Sequence, residues 1–205
     1  FVQTLYPLRS PTLSHKPKYR DINGAGKWVG EQMYEYGYNC GMRVLAIDPG
    51  YGRCGVAVLE KKDGPSTSLR AGKEILLYSA CIETSAKLDF PARLAQVAGE
   101  CARLMREHRP DCVALEKLYF SANQKTAMHV AEVRGALIQA ASDRGLAVFE
   151  YGPGEVKSAV ASSGSADKKQ MASMLHLLIK IDKPIAHDDE YDAIAIGITH
   201  LARSR

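Results

Sequence analysis

The sequence predicts an α/β fold with a five-stranded mixed sheet flanked by helices. Three apolar runs come first, and a glycine-rich turn joins the first two, as in a β-hairpin. Segments with helical spacing then alternate with two short apolar runs, an order typical of a mixed sheet covered by helices. The chain has 205 residues, of which 46% are hydrophobic, which is enough for one good core.

The first three strands are predicted from continuous apolar runs at Arg43–Asp48, Gly55–Lys61 and Glu74–Ile82. Between the second and third strands, Lys62–Gly72 ("KDGPSTSLRAG") is polar and rich in Gly, Pro and Ser. Such a composition indicates a loop, and this one is long enough to extend the hairpin.

The first helix is predicted to follow Asp89, which is a suitable N-cap, with Pro91 just inside the helix. The apolar residues that follow have helical spacing: Phe90, Leu94, Val97, Ala98, Cys101, Leu104 and Met105. A short apolar run, Cys112–Glu116, then predicts a buried fourth strand that ends on an acid.

The last part of the chain is predicted to contain three helices and one strand. In order, these are the helix Thr126–Arg144, the strand Leu146–Glu150, the helix Ala166–Lys180 with Ser165 as its cap, and the helix from about Asp189 to Arg203.

The segment Phe1–Gly41 differs from the rest because it mixes Pro, Lys, Tyr, Asn and Gly without a sustained period. We interpret it as an N-terminal extension or upstream read-through, disordered or loosely docked, that precedes a single domain of residues 42–205. The alternative is an N-terminal arm that helps to bind a partner.

Charge and cysteine content limit the classes of function. The net charge of +4 permits an anionic partner without demonstrating one. The five cysteines form no CxxC pair and have no His-linked metal spacing, which indicates reduced thiols in the cytosol. No apolar stretch is long enough for a bilayer and the first residues lack a signal-peptide pattern, so we expect a cytoplasmic protein without a membrane partner.

Four acids stand out by their positions in these elements. Asp48 ends the first strand and Glu116 ends the fourth, whereas Asp189 and Asp192 are three residues apart on the last helix and so share one face. If the first and fourth strands are neighbours, all four carboxylates converge at one edge of the sheet.

Four converging carboxylates repel each other unless a cation neutralises them. Oxygen ligands without a nearby Cys or His cluster favour Mg²⁺ or Mn²⁺ over Zn²⁺. Two such ions, about 4 Å apart, form a clamp for displacement at phosphorus. The acids therefore predict a metal-dependent phosphoryl-transfer or hydrolysis site, with two Mg²⁺ ions and Mn²⁺ as a substitute.

An ordered set of motifs resembles the RuvC family of Holliday junction resolvases. The motifs are "IDPG" (Ile47–Gly50), "LEKLYF" (Leu115–Phe120), "AEVRG" (Ala131–Gly135), "FEYGPGEVK" (Phe149–Lys157), "GSADKKQ" (Gly164–Gln170) and "DEYDAIAIGITH" (Asp189–His200). The resemblance implies an RNase H-like fold, a homodimer, and Mg²⁺-dependent cleavage of four-way DNA junctions in recombination and repair.

The resemblance also implies roles for individual residues. The family's catalytic, metal-binding acids match Asp48, Glu116, Asp189 and Asp192; Asp188 and Glu190 flank the third acid, so a register shift of one residue is the alternative there.

Other matched residues are implied to contact DNA. Tyr119 matches the aromatic residue that stacks at the junction centre, and Phe120 either shares that role or points inward. Lys157 and Lys168 match lysines near the DNA backbone and the scissile phosphate, and Lys168 is expected to take part in catalysis. Arg134 either binds a phosphate or braces Glu116.

The partners implied by the resemblance are four-way junction DNA, a second copy of the chain, and the branch-migration proteins RuvA and RuvB. Small residues on the Thr126–Arg144 helix, Ala127, Ala131 and Gly135, permit close helix contact either within the subunit or across such a dimer. Two other functions remain open: an RNase H-like nuclease that acts on RNA, and a protein that binds branched DNA without cutting it. An ATPase of the sugar-kinase and actin type needs a second phosphate-binding hairpin, which the sequence lacks.

Overall fold

The computed structural model describes residues 41–62, 73–118 and 124–204. The predicted extension up to residue 40, the loop residues 63–72, and the predicted stacking residues Tyr119 and Phe120 lie outside these ranges. The elements are β1 (Met42–Asp48), β2 (Arg53–Lys62), β3 (Lys73–Glu83), α1 (Phe90–His108), β4 (Cys112–Glu116), α2 (Gln124–Ser142), β5 (Ala147–Tyr151), α3 (Pro153–Ala161), α4 (Lys168–Leu178) and α5 (Asp188–Arg203).

The five strands form one mixed sheet, as the sequence predicted, and their order is β3-β2-β1-β4-β5. β1, β2 and β3 pair antiparallel, whereas β4 runs parallel to both β1 and β5. In the register of β1 and β4, Ile47 is opposite Leu115. The acids that follow them, Asp48 and Glu116, therefore end neighbouring strands at the same edge of the sheet.

Each face of the sheet has its own apolar cluster because alternate residues of a strand point to opposite faces. Val44 and Ala46 pack on the side of α3, α4 and α5. Leu45 and Ile47 pack on the side of α1 and α2. The alternation directs the side chains of Asp48 and Glu116 to the face covered by α5.

The helix α5 lies directly on the sheet, and two glycines allow this close approach. A Cβ atom at Gly55 would lie 1.8 Å from the backbone oxygen of Asp189, and one at Gly197 would lie 2.2 Å from Leu59 Cδ1. Gly55 is also the cross-strand partner of Asp48. The beginning of α5 is thereby held beside the end of β1.

The N-cap of α1 was predicted correctly, whereas that of α4 was not. The Asp89 side chain accepts a hydrogen bond from the backbone N–H of Ala92 at 2.9 Å. The cap of α4 is Asp167 rather than Ser165, because Asp167 accepts from the backbone N–H of Gln170 while the Gln170 side chain accepts from that of Asp167. The Ser165 hydroxyl instead contacts the hydroxyl of Ser163 at 3.0 Å.

The sequence analysis missed helix α3, which has nine residues and begins directly after β5. Pro153 stands in its first turn, and the Glu155 carboxylate accepts from the backbone N–H of Gly152 at 2.7 Å. Its length and the residue Gly154 leave a weak helical pattern, which explains the omission. The ends of other elements differ from the prediction by at most two residues; for example, α5 begins at Asp188.

The described cysteines Cys54, Cys81, Cys101 and Cys112 are free thiols, in agreement with the expected reduced state. Within the described ranges, the helices are all too short or too polar to cross a membrane.

Candidate active site

Asp48 and Glu116 form the centre of the candidate site. Their carboxyl groups end two neighbouring strands and are close enough that each shifts the pKa of the other. The pKa of Asp48 is raised to about 9, mainly by burial and then by the charges of Glu116 and Asp192. The pKa of Glu116 is also raised by burial, although the neighbouring Asp48 carboxyl group and the charge of Arg134 oppose the shift.

Asp192 joins this pair from helix α5. Burial raises its pKa to about 6, and the charge of Glu116 adds to the shift, whereas Lys168 opposes it. The first turn of α5 carries Asp188, Asp189 and Glu190, whose negative charges favour the helix N-terminus. The pKa values of three neighbouring carboxyl groups at this edge of the sheet are thus raised, which is the shift expected of buried acids without a cation.

The three consecutive acids at the start of α5 have different environments. Asp188 is exposed and pairs with Lys168, whereas Glu190 is buried and lies 2.7 Å from the Lys183 ammonium. Asp189 lies between them in sequence, and its Oδ2 is buried and accepts no hydrogen bond within the described ranges. This placement favours Asp189, rather than either neighbour, as the fourth acid of the cluster.

Arg53 is a neighbour of Asp189 that the sequence analysis did not identify. Its Nε lies 3.1 Å from Asp189 Oδ2, yet this buried oxygen accepts no hydrogen bond within the described ranges. The register of the hairpin indicates that Arg53 lies near the acids, because Arg53 begins β2 two residues before Gly55, the cross-strand partner of Asp48. Only the packing of α5, however, reveals the contact.

The four carboxylates fit hard divalent cations by their donor chemistry. They are oxygen ligands with mutual repulsion, and Asp189 Oδ2 is a buried oxygen without a hydrogen-bond donor. In the described part of the chain, no three His, Cys, Asp or Glu side chains are close enough to hold one ion together. The acids therefore converge without forming a closed ligand set.

A cleft of about 580 Å³ extends from Glu116 and Asp192 between the helices α3, α4 and α5. Lys157, Lys168 and Lys169 line it. Lys168 Nζ lies 2.8 Å from Asp188 Oδ2, and this hydrogen bond raises the pKa of Lys168. The two lysines predicted to contact DNA are thus on the border of the acid cluster.

Arg134 lies on the other side of Glu116, from which the helix α2 approaches. Its guanidinium donates to the backbone oxygen of Glu116 and to the Glu150 carboxylate, and its side chain is only 11% exposed. Of the two roles predicted for Arg134, this arrangement matches the brace of Glu116 rather than a free phosphate-binding group.

Comparisons with known proteins agree with this site and fold. The family described as crossover junction endodeoxyribonuclease RuvC matches residues 44–200. The proteins of that name from Salinispora arenicola and Brevibacillus brevis are 39% and 38% identical, covering 79% and 78% of this chain and 89% and 91% of theirs.

A solved structure of RuvC from Thermus thermophilus in complex with Holliday junction substrate is 30% identical, with a TM-score of 0.68. The match covers 78% of this chain and 92% of that one. The similarity confirms the RNase H-like fold predicted from the motifs. Together with the acid cluster, it shows that this chain belongs to the RuvC family of crossover junction endodeoxyribonucleases, which are metal-dependent nucleases.

Proposed function

We propose that this chain is a structure-selective DNA endonuclease that resolves four-way junctions in recombination and repair. The convergence of Asp48, Glu116 and Asp192, with Asp189 beside them, is the observation that carries the proposal. It is supported by the match to the Thermus thermophilus protein whose structure contains a Holliday junction.

The proposed reaction is hydrolysis of a phosphodiester bond. A water oxygen bonds to phosphorus, the bond from phosphorus to the 3′ oxygen breaks, and that oxygen takes up a proton. The products are a 5′-phosphate and a 3′-hydroxyl. Two Mg²⁺ ions, for which Mn²⁺ could substitute, would be held by Asp48, Glu116, Asp189 and Asp192 and would supply Lewis-acid stabilisation of the developing charge.

The chain's own residues hold and orient these components. Asp48, Glu116, Asp189 and Asp192 are the proposed metal ligands, and Arg134 fixes the backbone of Glu116. Lys168 and Lys157, on the border of the cleft, provide positive charge for the scissile phosphate and its neighbours. Tyr119 and Phe120 are proposed to stack on bases at the junction centre.

A homodimer is proposed because a junction presents two symmetric strands to cut. Helix α2 supports this proposal: Met128 is 63% exposed, and a Cβ atom at Gly135 would meet nothing within 4 Å. Together with Ala131 they form an exposed stripe of small and apolar residues. The same proposal includes RuvA and RuvB as partners and a cytoplasmic location. It also includes a nuclease domain of residues 42–205 that follows a separate N-terminal segment.

The decisive experiment is Mg²⁺-dependent nicking of a synthetic immobile four-way junction by the full chain, with a linear duplex and an RNA–DNA hybrid as competing substrates. We expect symmetric nicks in the junction alone. Preferential cutting of the hybrid would support an RNA-directed nuclease, and tight junction binding without nicks would support a non-cleaving protein. A chain that begins at Met42 shows whether residues 1–41 contribute.

A further inference from the structure

The turn between β1 and β2, residues 49–53, has an ordered arginine on its α1 side. The Arg93 guanidinium lies over the Tyr51 ring at 4.6 Å, and its Nε donates to the Thr84 hydroxyl at 2.8 Å. A Cβ atom at Gly52 would lie 3.0 Å from Arg93 Nη2. The guanidinium is therefore held against the backbone of the turn rather than extended into solvent.

The ring beneath this guanidinium is itself fixed. Tyr51 makes edge contacts with Phe90 at 5.7 Å and with His129 at 5.1 Å, and the Phe90 and His129 rings stack at 4.0 Å. These contacts join the turn to α1 and α2. A cation held on an aromatic group in this way loses little conformational freedom when it binds an anion.

Arg93 is a half-buried residue, and its charge has no carboxylate partner within the described ranges. Arg53, at the other end of the same turn, is 54% exposed, and its carboxylate partner is Asp189, a proposed metal ligand. Arg53 thus lies beside the acid cluster on the α5 side of the sheet, and Arg93 lies across the turn, on the α1 side.

The strand order sets the positions of these groups relative to the acids. Along the edge of the sheet, Arg53 on β2 comes first, then Asp48 on β1, then Glu116 on β4. The lysine-lined cleft begins at Glu116 and extends away from β2. The acids therefore lie between two groups of cations, the cleft lysines and the two arginines.

We propose that Arg53 and Arg93 form a phosphate-binding surface across the β1–β2 turn, which receives the cut DNA strand on the side of the acids opposite the cleft. The proposal rests on the function proposed above. A DNA strand whose scissile phosphate lies at the acids extends from them in both directions. In the direction of β2, the first protein cations that its phosphates reach are the guanidinium groups of Arg53 and Arg93.

The test measures DNA binding as a function of salt in the full chain, with Asp48→Asn to prevent cleavage. We expect Arg93→Gln and Arg53→Gln each to reduce the slope of log affinity against log salt concentration by about 0.9, and the double variant by about 1.8. Arg106→Gln is the matched control: Arg106 is an exposed residue in the last turn of the same helix, about 20 Å from Arg93.

Arg93→Lys separates charge from packing, because lysine keeps the charge but cannot reproduce the planar contact with Tyr51 and Thr84. A salt slope near that of the parent in Arg93→Lys, together with a reduced slope in Arg93→Gln, supports a phosphate contact, provided that thermal unfolding shows each variant to be folded. If Arg53→Gln and Arg93→Gln have the same salt slope as Arg106→Gln, the proposed surface does not bind phosphate. Measurement on a linear duplex as well as a junction keeps this result distinct from a failure of junction recognition.

Discussion

Asp48 and Glu116 end two adjacent parallel strands, and burial together with the charge of Glu116 raises the pKa of Asp48 to about 9, so that Asp48 holds a proton at neutral pH. The proton lies where we propose that divalent cations bind. Burial makes two adjacent negative charges costly, so the metal-free protein keeps this site partly protonated. Cations that bind there must displace the proton, which couples metal binding to pH.

Asp48→Asn is expected to reduce junction cleavage by at least about 100-fold, because the variant lacks a carboxylate that we propose binds the metal ions. Each loss of about 1.36 kcal/mol in transition-state stabilisation lowers the rate tenfold. Junction binding is expected to survive or tighten, since one negative charge no longer repels the DNA phosphates. Gel assays of nicking and fluorescence anisotropy of a labelled junction measure the two effects. Normal cleavage by this variant would contradict the proposed function.

The stability of the metal-free protein is expected to fall as pH rises. The folded pKa values of Asp192, about 6, and Asp48, about 9, both exceed the ordinary value of 3.8, so the folded state binds more protons than the unfolded state. Stability therefore declines from about pH 4 towards pH 6 through Asp192, and continues to decline towards pH 9 through Asp48.

Thermal unfolding in the presence of a chelator measures this decline. In a chain of this size, each kcal/mol corresponds to about 2–4 °C in Tm. Asp48→Asn should flatten the curve between about pH 6 and pH 9, and an unchanged slope in that variant would show that Asp48 does not hold the proton. Added Mg²⁺ should stabilise the wild-type protein more at high pH than at low pH, because it then displaces fewer protons.

Asp189→Asn and Asp188→Asn distinguish the two neighbouring candidates for the third acid of the sequence motif. Asp189 has a buried oxygen without a hydrogen-bond donor, whereas Asp188 is exposed and paired with Lys168. We expect Asp189→Asn to lower cleavage by at least about tenfold and to weaken Mn²⁺ binding measured by titration calorimetry. Asp188→Asn should change both by less than about threefold, and the reverse order would assign the ligand to Asp188.

The positions of the four acids in the strands and the last helix could be predicted from the sequence, because each position follows from a local rule. Asp48 and Glu116 end continuous apolar runs, and Asp189 and Asp192 have the spacing of one helical face. The strand β4 has the predicted limits because four buried residues, Cys112–Leu115, run without interruption to the half-buried Glu116.

The contacts around the acids depend on register and packing, which local patterns do not contain. Arg53 contacts Asp189 across 136 positions of sequence because α5 lies on Gly55. Arg134 contacts Glu116 because α2 returns to the end of β4. Serine and aspartate are both good caps, so the choice of Asp167 over Ser165 depended on Gln170 three residues later.

Arg134→Met is expected to lower turnover at saturating DNA without changing the salt dependence of binding. Both ends of its guanidinium are occupied by Glu116 and Glu150, so it braces the end of β4 rather than a phosphate. Single-turnover cleavage and binding titrations at several salt concentrations separate the two roles. A slope reduced by about 0.9 would instead identify Arg134 as a phosphate contact.

Lys183→Met is expected to destabilise the protein by about 1–3 kcal/mol, because it leaves the Glu190 carboxylate buried without its cation. Lys183 Nζ lies 2.7 Å from Glu190 Oε1 and donates to the backbone oxygen of Ser79 at 2.6 Å, which ties the first turn of α5 to β3. The Glu190 side chain is 7% exposed, but that of Lys183 is 47% exposed, so solvent keeps the cost below that of a fully buried pair.

Urea unfolding of two matched variants tests this role of Lys183. Lys180 pairs with Asp182 on the surface, where both side chains are largely exposed, so Lys180→Met should cost less than about 0.5 kcal/mol. Adding Glu190→Gln to Lys183→Met should recover part of the lost stability, because the buried negative charge is then absent. Equal losses in the two lysine variants, or no recovery in the double variant, would mean that the Lys183–Glu190 pair does not hold the start of α5. The position of Asp189 and Asp192 would then depend on the packing of α5 against the sheet at Gly55 and Gly197.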